Sequence, residues 1–205
     1  TGKTSIARIL YKAANCPNAV DGEPCDSCPL CTAANEGRSL DLIEMDAASN
    51  RGIDDIRDLR DRVHFSPVEG KYRVYIVDEA HELTRDAWDA FLKTLEEPPP
   101  HVIFVLATTE SHRVPATIAS RCQRFDFRRL PMESVTSRLR AIAESEFLEV
   151  DQGGLDALAR LANGRMRDAI SLLAHLRAYC GSGITEDDAR SVLGLPPAGT
   201  ARQLL

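Results

Sequence analysis

Three observations predict an α/β fold with a parallel sheet, followed by a small all-α helical domain. Apolar stretches of strand length alternate with helical spacings as far as residue 130. The run Val74-Tyr75-Ile76-Val77 ends abruptly in Asp78-Glu79, and beyond Leu130-Pro131 only helical periodicity remains. Alternation of this kind implies a parallel sheet whose ligands bind at the carboxyl ends of the strands. A chain of 205 residues is long enough for one large and one small domain. The expected division is 1-130 for the sheet-bearing domain, with a cysteine-rich module at about 16-31, then 131-195 for the helical domain. A linker, 196-205, follows at Pro196-Pro197-Ala198-Gly199.

The elements follow in order. Ile6, Ile9, Leu10 and Ala13 recur at helical spacing and mark a helix from Thr4. Asp41 to Met45 reads as a short strand, and Ile53, Ile56, Leu59 and Val63 mark an amphipathic helix. Arg73 to Val77 is a strand, and Thr84 is positioned to cap a helix that runs through Glu97 and is stopped by Pro98-Pro99-Pro100. Val102 to Ala107 is the clearest buried strand, closed by Thr108-Thr109, and Gln123 to Phe127 is a candidate for another. In the second part, Val135, Leu139, Ile142 and Ala143 line one helix. Leu155, Leu158, Ala159 and Ala162 line a second, and Ala169, Ile170, Leu172, Leu173 and Leu176 a third. Thr185-Glu186-Asp187-Asp188 has the form of a capping box with Asp in place of Glu, and opens a fourth helix that ends at Gly194.

Composition narrows the function. Charged residues make up 27% of the chain, and no apolar run approaches the ~18 residues of a membrane span, so no transmembrane segment is expected. A net charge of −6 argues against coating nucleic acid by bulk electrostatics. Any DNA contact must be local or shared with partners. The compact basic cluster Arg121, Arg124, Arg128 and Arg129 reads equally as such a contact or as a solvated strand end.

The chemistry is concentrated in two places. Two adjacent carboxylates at the end of an apolar strand would cost several kcal/mol if left unpaired, so Asp78 and Glu79 imply Mg²⁺ and a polarised water. The opening Thr1-Gly2-Lys3-Thr4 reads as the end of a G-x-x-x-x-G-K-[ST] phosphate loop. Together they predict nucleotide hydrolysis. Lys3 reaches the β and γ phosphates, Thr4 and Asp78 hold Mg²⁺, and Glu79 orients or deprotonates the attacking water. Thr109 is placed to bond the γ phosphate or that water, or is an ordinary strand-ending cap. Arg121 in Ser120-Arg121-Cys122 either supplies charge to a neighbouring subunit's nucleotide or is a surface arginine. Arg167 either reaches the phosphates or pairs with an acid on its own helix.

Cys16, Cys25, Cys28 and Cys31 fall within 16 residues, with Pro17, Gly22, Pro24 and Pro29 among them. Four thiols this close in a loop read as a closed, structural tetrahedral Zn²⁺ site in a reducing compartment. Free or redox thiols are the alternative. Zinc binding of ~10–16 kcal/mol would order a loop too short to fold on its own core. Cys122 and Cys180 read as buried small apolar groups.

These residues together resemble the bacterial DNA polymerase III gamma/tau subunits, the motors of the sliding-clamp loader within the AAA+ ATPases. The stretches that carry the resemblance are Gly2-Lys3-Thr4-Ser5, the four cysteines, Leu42 to Ser49, Val77-Asp78-Glu79-Ala80-His81, Leu92 to Pro99, Ala107-Thr108-Thr109, Ser120-Arg121-Cys122 and Arg167-Asp168-Ala169. The resemblance implies a P-loop AAA+ domain with an inserted zinc module and a helical lid. It makes Gly2, Lys3, Thr4 and Ser5 part of Walker A, Asp78 and Glu79 Walker B, Thr109 sensor 1, Arg121 a trans-acting finger and Arg167 sensor 2. It further implies ATP, Mg²⁺ and Zn²⁺ as cofactors. The implied partners are other gamma/tau copies, delta and delta-prime subunits, a sliding clamp and primer-template DNA, in a cytoplasmic replisome at the nucleoid. The family's first strand and first loop glycines would precede residue 1, and its oligomerising collar domain would follow residue 205. The 205 residues alone are therefore expected to bind ATP weakly and not to form the ring. Two rivals remain at this stage: a non-hydrolysing stator like delta-prime, disfavoured by intact Lys3-Thr4 and Asp78-Glu79, and a DEAH-box helicase, disfavoured by the lack of a second motor domain.

Overall fold

The computed structural model describes residues 1–194, so the expected linker at 196-205 lies outside the described residues. The chain divides into two compact units. One is Gly2–Asp126, and the other takes in Thr1 and the described residues from Phe127 onward.

The first unit carries α1 (Lys3–Asn15), α2 (Pro29–Asn35), β1 (Leu42–Asp46), α3 (Ile53–Val63), β2 (Arg73–Asp78), α4 (Arg85–Glu96), β3 (Val102–Leu106) and the short α5 (Ala116–Ala119). The three strands are parallel in the order β1-β2-β3. Strand alternation sends Val74 and Ile76 to one face of the sheet, where they pack with Ala7, Tyr11 and Ala34 of the first two helices. Tyr75 and Val77 point to the other face, against Ile56, Leu59 and Val63 of α3 and Trp88 and Phe91 of α4. β2 is thus covered on both sides, which is why its sequence reads as continuously apolar. The register places Asp46 beside Asp78, so two strands end in acids at the same edge.

Two details depart from the sequence reading. α1 forms where expected, but its buried row is Ala7, Tyr11 and Asn15, and Ile6, Ile9 and Leu10 are exposed. The small Ala7 lets the helix lie close to the sheet, and Tyr11 is held at its far end by its hydroxyl, 2.6 Å from Ser39 Oγ. Gln123 to Phe127 is not a strand: no ladder forms there among the described residues, and Phe125 and Phe127 are exposed. Without a neighbouring edge to pair with, its alternation has nothing to bury.

Two buried polar side chains fix the turn that leads into β2. Asp41 is fully buried and its carboxylate accepts the backbone N–H groups of Val68, Glu69 and Gly70 at 2.8–2.9 Å, with Arg73 Nη2 at 3.4 Å. Asn15, at the end of α1, accepts from the N–H groups of Lys71 (2.7 Å) and Tyr72 (2.8 Å) through Oδ1 and donates to the Tyr72 carbonyl through Nδ2. A Cβ on Gly70 would lie 2.5 Å from Asn15 Oδ1, so that position requires glycine.

The second unit holds α6 (Met132–Ser145), β4 (Glu149–Val150), α7 (Gln152–Ala162), α8 (Met166–Cys180), β5 (Gly183–Ile184) and α9 (Glu186–Val192). Its core is built from Val135, Leu139, Leu155, Leu158, Leu173 and Leu176. A two-residue parallel pair, β4 with β5, is a detail that the helical pattern alone does not contain. The capping box opening α9 forms as read: Thr185 Oγ1 accepts from the Asp188 N–H at 3.2 Å, and Asp188 Oδ2 accepts from the Thr185 N–H at 2.9 Å. Cys122 is exposed and Cys180 is half-buried, so the reading of both as buried apolar groups is corrected.

Burial alone would raise the Asp41 pKa, but the N–H groups of Glu69, Gly70 and Val68, with Arg73, together hold it below the ordinary carboxylate value of 3.8. A depressed folded-state pKa contributes stability that is complete above the unfolded value and is lost as pH falls through the folded one. Asp41→Asn is therefore expected to unfold at lower temperature at pH 7. It should also lose less stability than the parent between about pH 4 and pH 2, as measured by thermal melts across that range. Equal acid slopes in the two proteins would show that Asp41 carries none of it.

Candidate nucleotide site

The carboxyl ends of the strands gather most of the residues singled out by the sequence. Gly2 caps α1 with φ 84°, a left-handed backbone that favours glycine, and leaves the first N–H groups of the helix free of a side-chain cap. A helix N-terminus of this kind favours an anion. One turn in, Thr4 Oγ1 donates to Asp78 Oδ2 at 2.8 Å. The Thr4 hydroxyl and the acid that ends β2 therefore meet, although 74 residues separate them. Lys3 is half-buried beside them in sequence and Ser5 is exposed.

Glu79 follows immediately, with its backbone in the left-handed region at φ 45°. For a non-glycine residue this conformation costs on the order of 1 kcal/mol or more. It is held by the Ala80 N–H donating to the Ala107 carbonyl and by the Glu82 N–H donating to the Glu79 carbonyl, at 2.9 and 2.8 Å. The carboxylate is turned toward the loop after β3, where Thr109 Oγ1 donates to Glu79 Oε2 at 3.0 Å. Asp46, at the parallel position on β1, folds its own turn by accepting from the Ala48 N–H (2.9 Å) and Ser49 Oγ (3.0 Å). That explains Asp46-Ala47-Ala48-Ser49 structurally.

Arg121 lies just past α5, exposed, with Nη2 2.7 Å from Glu96 Oε1 and Nη1 2.6 Å from the Thr117 carbonyl. Arg124 pairs with Asp126 at 2.8 Å. Arg167 belongs to the second unit, exposed in the first turn of α8, where it is Arg165 that pairs with Asp168. Glu96 as the partner of Arg121, and His81 as a neighbour of Glu79, were missed by the sequence reading. The sequence signal for His81 is its place in Asp78-Glu79-Ala80-His81, which says nothing of Glu110, the acid from another segment that faces it.

The four cysteines form a second centre. Cys16 ends α1, Cys28 caps α2 and Cys31 lies in its first turn. Their sulfurs all lie within 4.8 Å of one another, with Cys16 at 3.5 Å from Cys25 and 3.9 Å from Cys28. Thiolates bound at ~2.3 Å to a tetrahedral zinc would stand ~3.8 Å apart, so the donor set fits. The N–H groups of Cys25 and Cys28 point at the sulfurs of Cys16 and Cys25, at 3.4 and 3.3 Å. Hydrogen bonds from the backbone and hydroxyl of Ser27 bring the Cys25 thiol down to about 6, and burial pushes Cys31 up to about 12. A thiol so disfavoured as an anion ionises only against a cation. Lys12, buried on α1, pairs with Asp26 and donates to Asn35 Oδ1 at 2.9 Å, tying the module to the helix.

The fold is that of the AAA+ P-loop proteins. It resembles the Holliday junction branch migration motor RuvB of Thermotoga maritima, with a TM-score of 0.65 at 15% identity over 94% of this chain and 57% of that one. A family model described as DNA polymerase III, delta subunit, matches residues 1–131, and one described as DNA polymerase III clamp loader subunit, ATPase lid domain, matches residues 134–181. Among curated relatives, DNA polymerase III subunit tau of Bacillus subtilis is 50% identical over 95% of this chain and 34% of its own length. The gamma subunit of Buchnera aphidicola from Acyrthosiphon pisum is 40% identical over 96% of this chain and 54% of its own. The chain belongs to the DNA polymerase III clamp-loader family, in its gamma/tau line, and spans about a third to a half of the length of these relatives.

Proposed function

We propose that the chain is the ATP-hydrolysing part of a bacterial clamp-loader motor subunit, which uses ATP to place a sliding clamp on primed DNA. The observation that carries this reading is the meeting of Thr4 with Asp78, next to Glu79 on Thr109. A stator that never hydrolyses ATP has no need of that arrangement. This favours the motor over the delta-prime-like alternative, and the family sets the helicase reading aside.

In this reading Gly2, Lys3 and Ser5 receive the phosphates at the start of α1. Thr4 and Asp78 would hold Mg²⁺, which supplies neutralisation of the phosphate charge. Glu79 orients the attacking water and takes its proton, and Thr109 holds Glu79 and the γ-phosphate side of the site together. Arg121 acts on the nucleotide of a neighbouring subunit. To do so it must leave Glu96, and an exposed ion pair of this kind is worth only ~0.2–1 kcal/mol. That contact can be broken without a large barrier. Arg167 serves as the lid's phosphate contact. Cys16, Cys25, Cys28 and Cys31 would hold a structural Zn²⁺. The partners are further gamma/tau copies, delta and delta-prime subunits, the clamp and primer-template DNA, in the cytoplasm at the replisome. No described helix is long and apolar enough to cross a membrane.

Three outcomes are expected of the full-length protein. Glu79→Gln keeps ATP binding and loses turnover by ~10²–10⁴-fold; steady-state hydrolysis at the parent rate by that variant would rule out its role. Arg121→Ala, assembled with its partners, retains nucleotide binding in its own subunit while DNA-stimulated turnover falls by up to ~10³-fold or more. An unchanged stimulated rate removes the trans role. Metal analysis of the purified chain should return one zinc per polypeptide, and stripping it with a chelator should lower the melting temperature, reversibly on zinc addition. A metal-free preparation with the same melt would exclude zinc.

A further inference from the structure

His81 is buried, its side chain 6% exposed, and it is surrounded by groups that accept hydrogen bonds. Nε2 lies 3.2 Å from Glu82 Oε1 and 3.5 Å from Glu110 Oε1. Nδ1 lies 3.0 Å from Thr108 Oγ1 and 3.4 Å from Glu79 Oε2. Arg113 Nη1 balances the two outer acids, at 3.3 Å from Glu82 and 3.5 Å from Glu110, and His112 Nε2 is 3.7 Å from Glu110 Oε2. With only carboxylates in reach, Nε2 must carry a proton and donate. Thr108 Oγ1, which accepts the Glu110 N–H at 3.0 Å, is hydrogen-bonded to Nδ1. The ring is therefore fixed at both nitrogens, between the turn after β2 and the loop after β3. Its Nδ1 edge is the wall against which Glu79 Oε2 rests, and that oxygen is the one that accepts from Thr109.

We propose that His81 is a positioning residue for ATP hydrolysis, setting the Glu79 carboxylate against Thr109 so that both reach the attacking water in one geometry. The inference rests on the reading of Glu79 as the catalytic carboxylate. His81 acts through Glu79 and does not touch the nucleotide itself. Thr108 and Thr109 thereby acquire separate tasks: Thr108 orients the ring, and Thr109 the carboxylate. A carboxylate misplaced by about an ångström loses on the order of 10²-fold in rate while substrate binding is untouched.

The test uses the full-length protein and steady-state ATP turnover. His81→Phe keeps the ring volume and removes both nitrogens, and is expected to lower kcat by ~10–100-fold with KM for ATP within about threefold of the parent. His81→Asn, which restores a polar group at the Nδ1 position, should recover most of that loss. On a Glu79→Gln background, where a residual single-turnover rate remains, His81→Phe should subtract nothing further. A parent-like kcat for His81→Phe overturns the proposal, and so does a loss that appears as raised KM or persists in full on the Glu79→Gln background. If His81→Phe fails to fold by circular dichroism, Thr108→Val removes the ring's partner from the other side, and an unchanged kcat in that variant overturns the proposal equally. Parent-like turnover by Glu79→Gln alone would instead bring down the ATPase reading beneath it. An inactive Glu79→Gln beside a normal His81→Phe would reject only the role of His81.

Discussion

The hydrogen bond from Thr4 to Asp78 joins the first turn of α1 to the last residue of the central strand, and the geometry of the site follows from it. Parallel strands all run the same way, so their carboxyl ends share one edge, and the crossover helices deliver their N-termini back to that edge. Asp78 and the loop after β3 arrive there by pairing of the strands, and Asp46 arrives by register. Thr4 arrives by its helix. The contact between them joins a strand terminus and a helix terminus into one continuous surface. It also explains how an acid can stand at the end of a run that is buried on both faces: its charge is shared with a hydroxyl and with the Glu79 N–H, 3.0 Å from Asp78 Oδ1.

Much of this was legible in the sequence because the signals were local. Val74 to Val77 is apolar throughout since both faces of β2 are covered, and Thr84, Thr185 and Asp188 cap their helices by side chains only a few residues from their targets. The buried face of α1 was harder to read. Pattern reading weights Ile6, Ile9 and Leu10 by size, whereas the row on the sheet is chosen by how closely a backbone can approach, which favours Ala7 and a tethered Tyr11. The strand expected at Gln123 to Phe127 had the right composition and no neighbour, and pairing is a property of two segments that no single window contains.

The site divides along the same line. Thr4, Asp78 and Glu79, which the structure gathers at one edge of the sheet, could be singled out because a phosphate-loop pattern and an acid pair after an apolar strand are local sequence signals. Glu96 beside Arg121, and Thr108 beside His81, could not: each belongs to a contact across 25 to 27 residues whose members look ordinary alone. Asp41 and Asn15 belong with them. Nothing in the sequence around either marks it as buried, and both are buried acceptors for the backbone of the turn before β2. Buried polar groups of this kind are specified by the donors they satisfy, and those donors are main-chain atoms, identical at every residue.

α1 is capped by a glycine at its start and a cysteine at its end, and at 13 residues it is a rod ~20 Å long. Cys16 is at once its C-cap and a member of the sulfur cluster, and Lys12 fastens the same end to Asp26 and Asn35. A short helix is normally free to fray at its far end. Here the far end is clasped, so slack that would let the first turn, with Thr4 on Asp78, drift is taken up by the sulfur cluster at the opposite pole. A lineage that gave up those cysteines would have to find another way to terminate that rod before Thr4 at its opposite end could stay in register with Asp78.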